Sequence, residues 1–476
     1  MLFNSLHFLI YFPLVTLGYF LLPQLWRWGW LLMASCYFYM AFVPVYILIL
    51  GFTIVVDYFA GIYLENSSGK QRKIYLIASL IANIGVLAFF KYYNFLNDNL
   101  SVLLNGLGYQ NSIPRLSILL PIGLSFHTFQ AMSYTIEVYC GRQPAERNFG
   151  IYALYVMFYP QLVAGPIERP QNLLHQFYEK HPFDYERIVS GLRQMLWGLF
   201  KKIVIADRLA IYVNTVYNNA EHHNGNTLVV ATIFFAFQIY CDFSGYSDIA
   251  IGAARVMGFK LMTNFNRPYF SRNISEFWKR WHISLSTWFK DYLYISLGGN
   301  RVSIPRWYFN LFFVFLVSGL WHGANWTFLI WGGLNGLYLV FALMTQHFRK
   351  GVDKVLGLTN LPGLNRLLEI STTFILACFA WIFFRANSVH DAFYIIRKMF
   401  TSRGPVYFQE PSMIIYALFG IVFLICVEWR QEFSPHRVSL LNNPHWLVRN
   451  LACAMLIVLI LLIGVFDGGQ FIYFQF

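Results

Sequence analysis

The sequence predicts an all-α protein that crosses a membrane many times. Of its 476 residues, 57% are hydrophobic and only 12% are charged, about half the charged share of a typical soluble domain. Apolar runs close to the ~20 residues that a spanning helix needs recur along the whole chain. We therefore predict one polytopic transmembrane domain, residues 1–476, with no separate soluble domain.

The apolar runs predict about eleven spans together with interfacial or re-entrant helices. The predicted spans are residues 5–23, 29–41, 43–64, 74–90, 118–138, 228–253, 307–320, 324–345, 368–384, 412–428 and 446–465. Segments 149–164 and 188–206 are candidates for partial or tilted helices. The first run has no basic n-region and no small-residue cleavage site, so it is expected to be a retained span rather than a signal peptide.

The chain carries 35 Lys and Arg against 22 Asp and Glu, a net charge of +13. On a membrane protein such an excess marks cytoplasmic loops and contacts anionic lipid, and no basic tail or recognition motif indicates nucleic acid. Basic clusters at 69–73, 200–202, 255–306 and 348–354 predict cytoplasmic segments and an external N-terminus. Six dispersed cysteines without a CxxC pair indicate neither a disulfide framework nor a metal site.

His322 is the one side chain that titrates near neutral pH between residues 307 and 343, a run of 37 residues without a charge. As one helix this run would be about 55 Å long, against a hydrocarbon core of about 30 Å. It must therefore break, and Ser318-Gly319 and Gly323 are the flexible places beside His322. Such breaks are tolerated only inside protein or at a wet cavity, so His322 is predicted to line a cavity or tunnel.

A second informative stretch is NISEFWKRWHISLSTWFKDYLY, residues 273–294. Asn273 followed by Glu276 has the form of a capping box, which predicts a helix start. Apolar residues at helical spacing then predict one amphipathic helix at the interface or dipping into it. His282 lies beside that apolar stripe, in a row with Trp278.

Polar side chains also interrupt the membrane-length run 237–259. Two carboxylates there are costly unless they are paired or face water, and they are expected to build a cavity wall rather than to do chemistry. The polar residues are Asp242, Ser244, Tyr246 and Asp248. The expected partners are Arg255, Arg267, Arg272 and Arg280.

Four motifs together resemble the membrane-bound O-acyltransferase (MBOAT) superfamily, and most of all the bacterial membrane subunits of alginate and related polysaccharide acetylation. They are WHGANW at 321–326, RWHISLSTWFKDY at 280–292, YCDFSGYSDIAIG at 240–252 and LVAGPIERP at 162–170. The terminal FIYFQF, residues 471–476, also fits. The resemblance implies a ring of spanning helices around a tunnel, with the donor entering from the cytoplasm and the acceptor from outside.

The same resemblance implies roles for individual residues. His322 matches the catalytic histidine, and His282 matches a second signature position that is Asn or Asp in many eukaryotic relatives. A buried neutral imidazole is suited to take the proton of an acceptor hydroxyl. His282, Asn325 or backbone N–H groups are candidate donors to the oxyanion. Trp321, Trp278 and Arg280 are expected beside the polar residues of 242–248 along the tunnel.

The sequence thus favours transfer of acetyl groups to an extracytoplasmic polysaccharide, with acetyl-CoA or another thioester as donor and no bound cofactor or metal. The resemblance implies membrane lipid, an SGNH-like extracytoplasmic protein and a polysaccharide biosynthesis complex as partners, in a bacterial inner membrane. D-alanyl or other acyl transfer to an envelope polymer remains an alternative. So does a transporter, although no inverted repeat is visible, or a scaffold, which would not need His322.

Overall fold

The computed structural model describes residues 1–117, 120–408, 410–434 and 440–466, and across these ranges the chain is helical, with no strand. The predicted all-α class is therefore confirmed. The terminal FIYFQF motif and the first two residues of the predicted span 118–138 lie outside the described residues.

The described part of the chain contains twenty-one α-helices. In chain order they are α1 Leu6–Leu21, α2 Gln24–Met40, α3 Ile47–Asn66, α4 Gly69–Leu87, α5 Tyr93–Gly106, α6 Leu124–Tyr139, α7 Phe149–Met157, α8 Tyr159–Leu162, α9 Pro170–Leu173, α10 Tyr185–Leu199, α11 Asp207–Tyr217, α12 Gly225–Met257, α13 Ile274–Arg280, α14 Ile283–Trp288, α15 Ile304–His322, α16 Trp326–Met344, α17 Gln346–Val355, α18 Pro362–Arg385, α19 Val389–Thr401, α20 Pro411–Phe433 and α21 Trp446–Ile463. Within the described residues, π-helical stretches continue neighbouring helices at Ala88–Tyr92, Phe200–Ala206 and Phe289–Tyr294.

Eight helices of the described chain are long and apolar enough to cross a membrane. They are Pro44–Asn66, Gly69–Gly106, Gly225–Met257, Ile304–His322, Trp326–Met344, Pro362–Arg385, Pro411–Phe433 and Trp446–Ile463. The other three predicted spans correspond to α1, α2 and α6, which are helices of 16, 17 and 16 residues. A multi-pass membrane protein is confirmed, whereas the count of eleven spans is not.

The chain forms two compact units. The first unit comprises Met1–Met195 and Ser247–Met262, and the second comprises Leu196–Tyr246 and Thr263–Phe476. In the first unit, α3 and α4 are joined by the buried carboxylate of Asp57, which accepts hydrogen bonds from Ser79 Oγ at 2.6 Å and Asn83 Nδ2 at 2.9 Å. Such pairing is what a carboxylate inside an apolar helix pair requires.

In the second unit, α15 and α16 form a helical hairpin whose backbones come very close together. A Cβ atom added to Gly332 would lie 3.1 Å from the Cα atom of Gly319 and would collide with the carbonyl oxygen of Phe315. One turn further, a Cβ atom on Gly336 would lie 3.0 Å from the Cα atom of Phe312. Small residues at this spacing allow the close helix packing that a membrane otherwise gives little force to drive.

The predicted break in the uncharged run is confirmed, because α15 ends at His322 and α16 begins at Trp326. The expectation that Ser318-Gly319 takes part in the break is wrong, since α15 continues through both residues. Gly319 serves the hairpin contact instead. The chain turns at Gly323, whose backbone is extended, with φ −163° and ψ 151°.

We expect Gly332→Ala to destabilise the protein, because the new methyl group meets the backbones of Phe315 and Gly319, which cannot rotate away. Overpacking of this kind costs about 1–3 kcal/mol. Gly85→Ala is the matched control, since Gly85 lies in α4 with nothing within 4 Å of the added atom. The apparent melting temperature of the protein in detergent should fall for Gly332→Ala only. An unchanged value for that variant would contradict the hairpin contact.

Candidate active site

His322 is the last residue of α15, at the tip of the hairpin, and its side chain is buried, with 3% exposure. The turn after it is fixed by Asn325, whose side chain accepts the Thr327 N–H at 3.0 Å and so caps the N-terminus of α16. The same side chain donates to the Asn387 carbonyl at 3.2 Å. Asn325 therefore shapes the turn that carries His322.

Three aromatic rings surround the His322 imidazole, and we call them the aromatic cage. The ring centroids of Trp321 and Trp331 each lie 4.9 Å from that of His322, and the Phe384 centroid lies at 5.4 Å. All three rings meet the imidazole edge to face, at interplanar angles between 70° and 85°. The cage is assembled from α15, α16 and α18, so only the folded second unit can build it.

Two further indoles, those of Trp381 and Trp278, pack against Trp331 on the outside of the cage. Trp381 of α18 stacks on Trp331, with centroids 5.8 Å apart and planes inclined by 22°. Trp278, predicted from the sequence to lie near the site, packs edge-on against Trp331 at 5.6 Å. Its Nε1 donates to Asn335 Oδ1 at 3.3 Å, so the indole satisfies its polar group inside the core. The sequence offers no local signal for Trp331, Trp381 or Phe384, because they reach His322 through tertiary packing.

The stretch that carries His282 begins as predicted and then departs from the prediction. The Asn273 side chain accepts the Glu276 N–H at 2.9 Å, which confirms the cap of α13. The expected continuous amphipathic helix is wrong, because α13 ends at Arg280 and a new helix begins at Ile283. Between them Trp281 is extended and His282 is left-handed, with φ 43° and ψ 56°. Trp278 and His282 therefore do not share one helical row.

Residues 264–266 cause this bend by pairing with it. Ile283 N–H donates to the Asn264 carbonyl at 2.9 Å, and Asn266 N–H donates to the Arg280 carbonyl at 2.9 Å. These bonds satisfy backbone groups that a continuous helix would have satisfied within itself. They offset the ~1–2 kcal/mol that a left-handed conformation costs a residue other than glycine.

The His282 ring is buried, with 1% exposure, and is held by aromatic contacts. Phe243 of α12 meets it edge-on with centroids 4.5 Å apart, and Phe265 stacks on it at 6.2 Å. Burial lowers the pKa of the His282 imidazole to about 3, so the ring is neutral at physiological pH. Its centroid lies 6.3 Å from that of Trp321, the indole that also contacts His322. The structure thus brings the two histidines to one shared tryptophan.

The carboxylate of Asp242 has a different partner from those expected. Lys202 Nζ lies 2.6 Å from Asp242 Oδ1 and 2.7 Å from Asp207 Oδ1, and all three side chains are buried. The neighbouring Lys201 donates to Ser244 Oγ at 2.9 Å. Both lysines of FKK at 200–202 lie buried inside the second unit, in a π-helical stretch, where they bind the side chains of Asp207, Asp242 and Ser244. The cytoplasmic side of this segment stays a prediction.

The arginines expected to pair with the α12 carboxylates bind elsewhere. Arg280 binds Glu432 at 3.0 Å and also Glu276, while Arg267 binds Glu432 at 2.9 Å. Arg272 pairs with Glu369 at 2.6 Å. In the first unit, Arg255 donates to Ser190 Oγ at 3.3 Å. The expectation that these arginines neutralise Asp242 or Asp248 is wrong.

The remaining predicted residues lie on the later part of α12. Tyr246 is buried in the second unit. Asp248 belongs to the first unit, where its Oδ1 accepts a hydrogen bond from Gln194 Nε2 at 3.0 Å. No group of three metal-ligating side chains occurs among the residues that the structure describes.

The second unit of this multi-pass helical protein holds two buried imidazoles that contact the same indole. Comparison with known proteins identifies the class of protein to which such a site belongs. The sequence model of MBOAT, the membrane-bound O-acyltransferase family, matches residues 146–359. The probable alginate O-acetylase AlgI of Pseudomonas aeruginosa is 39% identical over 405 residues, which is 84% of this chain and 75% of that protein.

Two further relatives widen the comparison. The peptidoglycan O-acetyltransferase of Helicobacter pylori is 32% identical over 100% of this chain and 98% of its own length. The teichoic acid D-alanyltransferase of Bacillus subtilis is 25% identical over 56% of this chain and 69% of its own length. The chain belongs to the membrane-bound O-acyltransferase family. It is a multi-pass membrane O-acetyltransferase, as the resemblance of its motifs implied.

We expect Lys202→Met to reduce the amount of folded protein sharply, because it leaves the carboxylates of Asp207 and Asp242 buried without their shared cation. Breaking a buried pair in this way costs about 3–5 kcal/mol. The double variant Lys202→Met/Asp242→Asn should recover part of the loss, and Lys279→Met, at an exposed position, should behave as wild type. Gel filtration of the solubilised protein measures the folded fraction. Equal folding of Lys202→Met and Lys279→Met would contradict the ion-pair assignment.

Proposed function

We propose that this protein transfers an acetyl group from a cytoplasmic thioester toward a hydroxyl group of an extracytoplasmic glycan, with His322 as the general base. The observation that carries the proposal is the His322 imidazole at the hairpin tip, enclosed by the aromatic cage. Membership of the O-acyltransferase family supports it, since acyl transfer to a hydroxyl needs one group that can accept and return a proton.

The chemistry then proceeds by direct transfer. His322 removes the hydroxyl proton as the hydroxyl oxygen attacks the thioester carbonyl carbon. The tetrahedral intermediate collapses, the C–S bond breaks, and the proton passes from the imidazolium to the leaving thiolate. The products are an O-acetyl ester and a free thiol. General-base help of this kind contributes ~10²–10⁴-fold, and positioning of the two reactants supplies a further part of the acceleration.

The aromatic cage has a defined part in this mechanism. Trp321, Trp331 and Phe384 restrict the rotation of the imidazole ring, because each meets it edge to face. The apolar rings also keep bulk water from the reacting thioester, which limits its wasteful hydrolysis. A base with restricted rotation among apolar rings is what direct transfer between two bound substrates needs.

We place the other residues suggested by the sequence in supporting roles within one transmembrane domain of 476 residues. The residues of the second unit proposed to form the walls of the substrate tunnel are Trp321, Trp278, Asn325, Asp242, Ser244, Tyr246 and Arg280. The bonds that occupy Asp242, Ser244 and Arg280 support a wall-building role rather than proton transfer. His282 is the second functional histidine because it shares Trp321 with His322.

The proposed final acceptor is a cell-envelope polysaccharide such as alginate, by analogy with the relatives named alginate O-acetylases. A peptidoglycan glycan is the second candidate, because the peptidoglycan enzyme aligns with nearly its entire length. D-alanyl transfer is supported less, since the relative of that name matches 56% of this chain. We further propose acetyl-CoA or another thioester as donor, a bacterial inner-membrane location, contact with membrane lipid, and an SGNH-like partner that completes the transfer within a polysaccharide biosynthesis complex.

The proposal predicts that His322→Ala abolishes acetylation of the surface glycan while the protein stays folded in the membrane. His322→Gln should fail as well, because an amide cannot accept and release the proton. His347→Ala is the matched control, since His347 is an exposed histidine on α17. The measurement is the ester-linked acetyl content of the isolated glycan by mass spectrometry, with the amount of membrane-inserted protein measured in parallel.

Full acetylation in the His322→Ala strain at normal protein level would exclude His322 as the base. Loss of acetylation in His347→Ala would show that the assay responds to histidine replacement in general rather than to the site. A normal amount of inserted protein together with lost acetylation in both His322 variants is the result that supports the proposal.

A further inference from the structure

Asn264 lies fully buried at the inside of the bend that carries His282. Its side-chain oxygen Oδ1 is 2.9 Å from Ser284 Oγ, 3.2 Å from the Ser284 backbone nitrogen and 3.2 Å from His282 Nδ1. One amide oxygen thus meets three neighbours, one of which belongs to the second histidine of the site.

The orientation of this amide is fixed by a neighbour that does not titrate. The backbone N–H of Ser284 can only donate, so the atom of Asn264 that faces it must be the oxygen. If the amide were rotated by half a turn, its NH₂ group would face that N–H, and the buried Ser284 N–H would lose its acceptor. A buried donor left in that way costs about 1–3 kcal/mol.

The orientation of the amide decides where the proton of His282 lies. An amide oxygen accepts hydrogen bonds and never donates them, so His282 Nδ1 must carry the hydrogen of their contact. The buried ring is neutral, and a neutral imidazole carries one N–H proton. Nε2 therefore carries the lone pair.

The ring also has no freedom to exchange its two nitrogens. Phe243 lies edge-on at 4.5 Å and Phe265 lies nearly parallel to the ring, at an angle of 26°. The left-handed backbone of His282 sets the direction of its Cβ atom, and the pairing of Ile283 with Asn264 holds that backbone. Nδ1 is thus held toward Asn264.

We propose that Asn264 is a positioning residue that keeps neutral His282 in the tautomer protonated on Nδ1. Nε2 then accepts a hydrogen bond from a hydroxyl of the acceptor other than the one that reacts, and it cannot donate to the oxyanion. The role of Nε2 rests on the proposed function. The assignment of the tautomer rests on the hydrogen bonds of Asn264 and does not depend on any activity. It replaces the oxyanion-donor role considered for His282 from the sequence.

The tautomer can be read directly from ¹⁵N magic-angle-spinning NMR of the protein in lipid bilayers, with its histidines labelled. His282→Gln identifies the His282 signals by their disappearance. In the wild type, Nδ1 should appear protonated and Nε2 unprotonated. A protonated Nε2 with a bare Nδ1 would overturn the proposal.

Variants of Asn264 test whether this residue sets the tautomer. In Asn264→Leu the Ser284 hydroxyl, 3.5 Å from His282 Nδ1, loses its acceptor and becomes free to donate to Nδ1, so the proton should move to Nε2. Asn264→Asp replaces the amide with a carboxylate, whose oxygens only accept hydrogen bonds, and should keep Nδ1 protonated. Ser284→Ala retains the backbone donor that orients the amide, so its tautomer should match the wild type.

Glycan acetylation provides the second readout. We expect Asn264→Leu to lower it at least tenfold and Asn264→Asp to restore a substantial part. An inactive but folded Asn264→Leu with an unchanged tautomer would mean a purely structural role and would overturn the proposal. If Asn264→Leu fails to fold, the wild-type spectrum and Asn264→Asp still decide the tautomer. Full acetylation in His322→Ala would overturn the proposed function, whereas the NMR result would stand.

Discussion

Contact between the backbones of α15 and α16 at Gly319 and Gly332 is the constraint on which the functional end of this protein depends. Inside a membrane the hydrophobic effect does little to join helices, so close packing of small residues has to do it. Trp331 directly precedes Gly332, and the contact that joins the helices therefore also delivers an indole to the ring of His322. The hairpin defines both the position of the His322 imidazole, the proposed base, and one wall of its cage.

A second constraint is that buried polar and charged side chains of the second unit need partners within the protein. Lys202 lies between Asp207 and Asp242, so that three buried charges share one ionic cluster. Asn264 ties the bend at His282 to the chain that precedes it. Other side chains thus satisfy these polar groups, and aromatic rings surround the imidazole of His322. One helical unit thus contains both an ion-paired cluster that solvates its buried charges and an imidazole enclosed by aromatic rings.

The sequence predicted those features that depend on local pattern. Hydropathy and length were enough to find the helices, the break after His322 and the cap at Asn273, because each is decided within a few turns of chain. The bend at His282 escaped prediction because its hydrogen bonds come from Asn264, eighteen residues earlier. The buried ion pairs of Lys202 were not predicted, because a basic pair in a sequence indicates a loop unless its carboxylate partners are known. The Phe384 side of the cage is a tertiary contact with no periodic signature.

The central claim is that His322 faces the reacting carbonyl carbon across the attacking hydroxyl group, and a structure with a bound donor analogue tests it most directly. Acetonyl-coenzyme A carries a methyl ketone in place of the thioester and cannot transfer its acetyl group. In an electron cryo-microscopy map of the complex, the ketone carbon should lie inside the aromatic cage, with space for one hydroxyl oxygen between it and the imidazole. A ketone bound in well-defined density away from Trp321, Trp331 and Phe384 would contradict the account.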